Sequence, residues 1–484
     1  MAESDFPYLS AETTQDIEIP RNPLEQVIGQ DEAVKYCKIA AMQRRHVLMV
    51  GPPGTGKSML AQATAYCLPK PEHEISVLHN PENPERPIIE VLSKEQILKE
   101  KKLAKQLEGR IVDPREVPSF VAERLGYRCR RCGKLSRQQD GACPSCGMDK
   151  YATESSPFGD LLFPHVPTGQ KARVHTTRST EDGREEIIVY EGAGDKIRVM
   201  DQLSLEKLDL QKKKTPRKTI IALSRKNFIV ATGASETELL GDVRHDPYGG
   251  HAQIGTPPYT RVVAGAIHEA HEGVLFIDEI SSLHNIQRFL LTAMQEKKYP
   301  IVGRNPQSSG ASVRVDDVPC DFVLMGASNI NDIPYILPPL RSRIIGNGYE
   351  LLLQTTMPDT EANRQKLAQF VAQEIKKDGK IPPATIGAVE AMINEARRRA
   401  KKVDSTDDAL TLRLRELSGV IRLAGDLAVT EHAPLIDEGM IARSIVRSKN
   451  IEEQLSERYG SVWNANRSEM VSGDGMRKDH KEIR

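Results

Sequence analysis

Three groupings of residues along the 484-residue chain have types and spacings that could do chemistry. Gly51, Pro52, Pro53, Gly54, Thr55, Gly56, Lys57 and Ser58 spell GPPGTGKS, a glycine-rich loop ending in a lysine and a hydroxyl. Glycines let successive backbone N–H groups close around the phosphates of a nucleotide such as ATP. The lysine adds point charge there, and the serine offers an oxygen to Mg²⁺. Asp278 and Glu279 end the apolar run VLFIDE. The first carboxylate suits Mg²⁺ held through water, and the second suits a base that polarises an attacking water. Acids also end strands as plain helix caps, so this pair takes its meaning from the loop upstream. The third grouping is Cys129, Cys132, Cys143 and Cys146, spaced C-x2-C-x10-C-x2-C, with Gly133 and Gly147 after the two pairs. That is the knuckle form in which turn N–H groups stabilise thiolates on a tetrahedral metal. Zn²⁺ is the expected ion, in a structural site with no open position. Four thiolates also suit a rubredoxin-like iron, and disulfides are a further alternative, disfavoured in a chain with no secretion signal.

These groups need elements to hold them. HVLMV before the loop reads as a buried strand and MLAQATAYCL after it as a helix. A further strand, DFVLMGASN, ends at Asn329, a polar residue that could orient the lytic water. In LPPLRSRI, Arg341 and Arg343 follow a short proline-bearing turn, where an arginine can stabilise transition-state charge on a nucleotide held by a neighbouring subunit. Arg343 is the preferred of the two. From about residue 357 the pattern is helical, with Gly379 as a helix stop and Leu417, Ile421 and Ala424 as a packing stripe. These helices read as a lid. Arg413, entering its third helix, could reach the γ-phosphate, with Arg415 as the alternative.

Lysine plus arginine equals aspartate plus glutamate at 67 each, so no overall field draws the chain to nucleic acid. No apolar run approaches the roughly 18 to 20 residues of a membrane span, and the N-terminus lacks a signal-peptide pattern, so a cytoplasmic location is expected. Cys37, Cys67 and Cys320 are scattered and read as small buried residues.

A long interval separates Lys57 from Asp278. It begins with a helix, SKEQILKEKKLAKQLEG, opened by a Ser93/Gln96 capping box. Residues 110–217 then change character. The cysteines fall here, followed by alternating apolar and polar residues around turn signals, the pattern of short antiparallel strands. The basic QKKKTPRK reads as a solvated connector.

QVIGQDEAV, the loop, the acidic strand, Asn329, the arginine turn and the lid, in this order, resemble the AAA+ ATPases. ATGASETELLGDVRHDPYGG, GTPPYTRVVAGAIHEAHEGVLFIDEI and LLTAMQEKKYPIVG narrow the resemblance to the AAA+ module of archaeal-type Lon proteases, over roughly residues 18–95 and 225–458. The resemblance implies an α/β fold: a P-loop parallel sheet with a helical lid and an inserted zinc-ribbon/β module. It implies ATP hydrolysis in a homo-oligomeric ring, a hexamer, acting on a protein substrate. Asn329 would be the first sensor, Arg343 the finger and Arg413 the second sensor, while Ile28 and Gly29 would lie near adenine. Tyr248, an aromatic ring beside glycines in HDPYGGHAQIGTP, is itself a candidate grip on substrate in the pore, whereas the family pattern puts Gln253 and Ile254 at that place.

This sequence departs from that family twice. The family has a membrane hairpin where the ribbon stands here, and a Ser–Lys peptidase domain after the lid. Ser472, in the polar tail, lacks a lysine partner, so this polypeptide is not expected to cleave peptide bonds on its own, with a separate peptidase subunit and a truncated form of a longer protease as the open alternatives. The expected division is 1–109 for the first part of the core, 110–217 for the insert, 218–356 for the rest of the core, 357–458 for the lid and 459–484 for the tail. LLTAMQEKKYPIVG also resembles an insertion of replicative helicases and magnesium chelatases. A nucleic-acid motor or chelatase-like remodeller is therefore the alternative function.

Overall fold

The computed structural model describes residues 11–107, 109–150, 173–179, 185–201, 204, 215–248, 255–304, 313–449, 451, 454–455 and 460. Gln253, Ile254 and Ser472 lie outside them. The chain divides into two compact units: residues 1–71 with 220–484, and residues 72–219.

The first unit is built on a five-stranded parallel sheet. In spatial order its strands are Gly348–Leu352, His46–Val50, Val323–Ser328, Val274–Ile277 and Phe228–Val230. The three inner strands are buried along their whole length because helices cover both faces, which is why they read as unbroken apolar runs rather than alternating ones. One face packs on Cys37, Leu60, Ala61 and Leu68, and the other on Leu239, Ile267, Leu290 and Leu340. Register does the positioning: Val50 lies beside Ser328, and Ile277 beside Gly326. The loop after Val50, the acids after Ile277 and the polar residue after Ser328 therefore emerge together at the carboxyl ends of adjacent strands.

The lid follows as helices Glu361–Asp378, Ile386–Val403, Leu414–Thr430 and Glu438–Arg447. Gly379 takes the left-handed φ of +68° as the C-cap of the first, and Leu417, Ile421 and Ala424 are buried together with Phe370, Val389 and Met392. Cys37 and Cys320 are buried as expected, and burial pushes the Cys37 thiol up to about 11. Cys67 differs: it is exposed, because the helix after the loop ends there, at the surface.

The second unit starts earlier than residue 110. His73–Leu78 pairs antiparallel with Ile88–Ser93, and the returning strand Arg217–Ile221 completes the same sheet, so the outgoing and incoming segments are tied together from Glu72 onward. The capping box forms, with Ser93 N donating to Gln96 Oε1 at 2.8 Å and Gln96 N to Ser93 Oγ at 3.3 Å. A second, antiparallel sheet orders Arg110–Val112, Lys196–Asp201, Glu185–Ala193 and Arg173–Ser179. Val112, Val121, Leu125, Tyr127, Val174, Tyr190 and Ile197 pack on it as a small apolar core.

Candidate nucleotide site and metal centre

The loop Gly51–Gly56 turns sharply between strand and helix. Gly54 and Gly56 sit at φ of +85° and +94°, values that L side chains rarely adopt. Gly51 N donates to Ser328 O at 3.2 Å and Thr55 Oγ1 to Pro52 O at 2.9 Å, which anchor the loop to the neighbouring strand and to itself. Lys57 Nζ lies against the loop, donating to the carbonyls of Gly51 at 2.7 Å and Pro52 at 2.9 Å. Burial holds Lys57 below its ordinary value. Asp278 and Glu279 pull it the other way, and Arg415 adds to the depression. All four charges therefore bear on one site. Ser58 follows as the second residue of the helix.

Asp278 N donates to Thr232 Oγ1 at 3.3 Å, and Asp278 Oδ1 accepts from Glu279 N at 3.1 Å. Glu279 is exposed and held at a left-handed φ of +53°, a costly conformation for a residue with a β-carbon and the kind of strain that gathers at functional sites. Asn329 follows Ser328, and its Nδ2 donates to Asp332 Oδ2 at 3.2 Å.

The paired arginines separate cleanly. Arg341 is bound to Glu350 through Nε at 2.9 Å and Nη2 at 2.6 Å. Arg343 is exposed with no partner among the described residues, on a cavity of about 650 Å³ that Leu291, Gln295 and Pro339 also line.

The lid closes over the loop through residues the sequence only partly singled out. Arg413 faces away, its Nη2 2.9 Å from Asp404 Oδ1. Arg415 instead stands over the phosphate loop, where a β-carbon at Gly54 would lie 2.9 Å from its Cβ. Ile28 is buried in the lid core, and a β-carbon at Gly29 would stand 2.4 Å from Leu412 Cδ2, so this segment lies under the lid entry. Sequence reasoning passed over Gln30, which is 2% exposed. Its amide donates to Gln354 O at 2.8 Å, accepts from Gln354 N at 3.0 Å and reaches Thr55 O at 3.5 Å, joining loop, core and lid hinge. The signal was its place in QVIGQDEAV, directly before a helix. Tyr248 is 58% exposed, and the carboxylate of Asp246 accepts from Tyr248 N at 2.9 Å and Thr256 N at 2.5 Å, clasping both ends of that loop.

In the second unit, the four cysteine sulfurs lie within 4.8 Å of one another. Cys129 and Cys146 sulfurs are 3.6 Å apart, as are those of Cys132 and Cys143. A tetrahedron of metal–sulfur bonds of about 2.3 Å has edges of about 3.8 Å, so the donor set fits a metal, whereas a disulfide needs sulfurs about 2.05 Å apart. Both knuckles close as expected: Gly133 N donates to Cys129 O at 2.9 Å and Gly147 N to Cys143 O at 2.8 Å, each glycine at φ of +70°. Backbone N–H groups of Ser145 and Cys146 pull the Cys143 thiol down to about 6 and that of Cys132 lowers Cys129, whereas Cys132, although the Lys134 N–H lowers it, is pushed up to about 11 by burial and by the facing sulfurs. Tyr127 and Lys150 fix the ribbon to its sheet. Tyr127 OH donates to Gly194 O at 2.7 Å, and Lys150 Nζ, in a side chain only 3% exposed, donates to the carbonyls of Gly126 at 2.9 Å and Arg137 at 2.6 Å.

A glycine-rich loop, an acidic strand tip and a polar residue at the end of the strand between them on one parallel sheet, followed by a helical domain, define a P-loop ATPase of the AAA+ class. Comparison with known proteins agrees and narrows it. Residues 23–84 match the profile for magnesium chelatase, subunit ChlI, and residues 258–316 that for the Sigma-54 interaction domain. A lon protease homolog of Methanothermobacter thermautotrophicus is 54% identical over 96% of this chain and 94% of its own length, and one of Thermoplasma volcanium is 54% identical over 94% and 93%. The archaeal Lon protease of Thermococcus kodakarensis is 39% identical over 96% of this chain and 64% of its own length. The chain belongs to the Lon protease homolog family, as an ATPase module of Lon type. Among the described residues, no helix is long and apolar enough to cross a membrane.

Proposed function

We propose that the chain is the ATP-driven motor of a homo-oligomeric ring, a hexamer, that pulls on and unfolds polypeptides in the cytoplasm. The observation that carries this is the convergence of Lys57, Asp278, Glu279 and Arg415 on one phosphate loop, in a chain of Lon type. Gly51 to Gly56 and Lys57 hold the phosphates of ATP, and Ser58 and Asp278 are the groups that would hold Mg²⁺. Glu279 takes the proton of the attacking water, and Asn329 orients that water. Arg343, unpaired while Arg341 is committed to Glu350, reaches the nucleotide of the adjacent subunit. Arg415, rather than Arg413, is the lid residue that senses the γ-phosphate. Ile28 and Gly29 border the adenine, and Tyr248 is the grip on the substrate.

Zinc is the ion best suited to the four thiolates, in a structural role. The match to the magnesium chelatase profile favours, as the second reading, a remodeller that acts on other macromolecules or on nucleic acid. Stimulation of ATP turnover by an unfolded protein and not by single-stranded DNA separates the two.

A further inference from the structure

The first knuckle of the ribbon carries charge that neither the metal centre nor the nucleotide site uses. From Arg124 to Gln139 the sequence holds Arg124, Arg128, Arg130, Arg131, Lys134 and Arg137 and no acid, in a chain whose total charge is balanced. Arg124, Arg130, Arg131 and Lys134 are exposed, and among the described residues none has a hydrogen-bond or ion-pair partner. Some exposed cations of the same unit are paired, Arg217 with Glu90 at 3.0 Å and Glu100 at 2.9 Å and Arg173 with Glu191 at 3.4 Å; what sets the knuckle apart is the run of six cations without an acid between Arg124 and Gln139.

The two segments that carry the free cations are joined through Arg128. Arg128 Nη1 donates to Ser119 Oγ at 2.9 Å, at the start of the short helix Ser119–Arg124, while its other Nη lies 3.5 Å from where a β-carbon of Gly133 would be. The Arg128 guanidinium thus bridges helix and knuckle turn. On that helix Phe120 is 48% exposed and four residues before Arg124, so ring and cation share a face. The knuckle is held by its sulfurs and by Cys129 N donating to Lys134 O at 3.0 Å, so the cations stand on a fixed turn rather than a flexible tail.

We propose that this face, Phe120 and Arg124 with Arg130, Arg131 and Lys134, is a docking site for an acidic, unstructured polypeptide segment that carries an apolar side chain. Carboxylates meet the guanidinium and ammonium groups, and the apolar side chain covers the ring. Nucleic acid is the weaker fit. A nucleic-acid-binding domain is usually strongly basic throughout, whereas over residues 72–219 acids and bases come close to balance, and among the described residues Phe120 is the only exposed phenylalanine, tyrosine or tryptophan of this unit. The inference rests on the reading of the chain as a polypeptide motor and names the class of segment it would engage first.

Equilibrium binding without nucleotide tests the site separately from the motor. A fluorescein-labelled Asp/Glu-rich peptide with one phenylalanine is titrated with the full chain. Comparison ligands are a Lys-rich peptide of equal length and a single-stranded oligonucleotide, and metal content and ATP turnover are checked in every variant. The site requires saturable binding of the acidic peptide that weakens as salt rises, is lost at least tenfold in an Arg130→Glu, Arg131→Glu double variant, and falls severalfold in Phe120→Ser, with basal ATP turnover unchanged. Equal binding by wild type and the double variant would overturn the proposal. So would oligonucleotide binding tighter than peptide binding and abolished by the same substitutions. Loss of polypeptide-stimulated turnover with peptide binding intact would count against the motor reading and leave the docking site standing.

Discussion

Arg415 packs on Gly54 so closely that the phosphate loop has no room for a side chain at that position. The lid therefore touches the loop directly, and the arginine two residues earlier is held elsewhere by Asp404.

Arg415→Ala should keep the fold and lose turnover by about 10²-fold, the usual effect of removing one donor to developing negative charge. Arg413→Ala should instead destabilise the lid by about 2–3 kcal/mol, by leaving the Asp404 carboxylate buried without its partner, with a smaller effect on turnover per folded molecule. Steady-state turnover alongside thermal melts of both variants separates them. The reverse pattern would return the sensing role to Arg413.

Glu279→Gln should bind ATP normally and hydrolyse it about 10² to 10⁴ times more slowly, because the amide cannot take the proton and hardly alters the loop. Equilibrium nucleotide binding with single-turnover hydrolysis checks this. Unchanged turnover would remove Glu279 from the chemistry.

Arg343→Ala should also lose turnover, and mixing it with Lys57→Ala protein should recover part of it, since each mixed ring then holds some sites with an intact loop from one subunit and an intact arginine from the next. Mixed assemblies, verified by mass, that stay inactive would place Arg343 outside the neighbouring site.

The ribbon sulfurs should hold about one zinc per chain. Its removal, or Cys143→Ser, should open the knuckles while the sheet under Val174, Tyr190 and Ile197 persists, because that sheet has an apolar core of its own. Metal analysis, then limited proteolysis between residues 129 and 146, reads this out, with ATP affinity expected to be unchanged. Protein purified under reducing conditions that neither contains nor takes up metal would refute the centre.

Acid should destabilise the first unit in a defined window. His268 is fully buried, with Nδ1 accepting from Gly265 N at 3.3 Å and Nε2 2.9 Å from Tyr299 O, and burial pushes it down to about 4; burial does the same to His46. Unfolded histidine titrates near 6.5. Below that pH the unfolded chain takes up protons that the folded one refuses, so stability is full above about pH 6.5 and falls as pH drops towards 4, by up to about 3 kcal/mol per histidine. Thermal midpoints between pH 7.5 and 5 should fall, and the slope should be shallower in His268→Gln. An unchanged slope in that variant would contradict the assignment.

What was legible in the sequence was what local chemistry dictates. GPPGTGKS needs left-handed glycines between a strand and a helix, C-x2-C needs a knuckle, and buried parallel strands must be apolar throughout. Less legible was what depends on distant partners. The direction of Arg413 is set by Asp404, that of Arg341 by Glu350, and the role of Gln30 by Gln354, far along the chain. The insert boundary at Glu72 likewise depends on strand pairing across the whole insertion, which no local pattern announces.

ATP turnover by the purified chain, measured with and without an unfolded polypeptide and separately with single-stranded DNA, tests whether the chain is a polypeptide motor. A polypeptide motor requires hydrolysis that the polypeptide stimulates severalfold, that DNA leaves unchanged and that Glu279→Gln abolishes. Stimulation by DNA and not by polypeptide would contradict it.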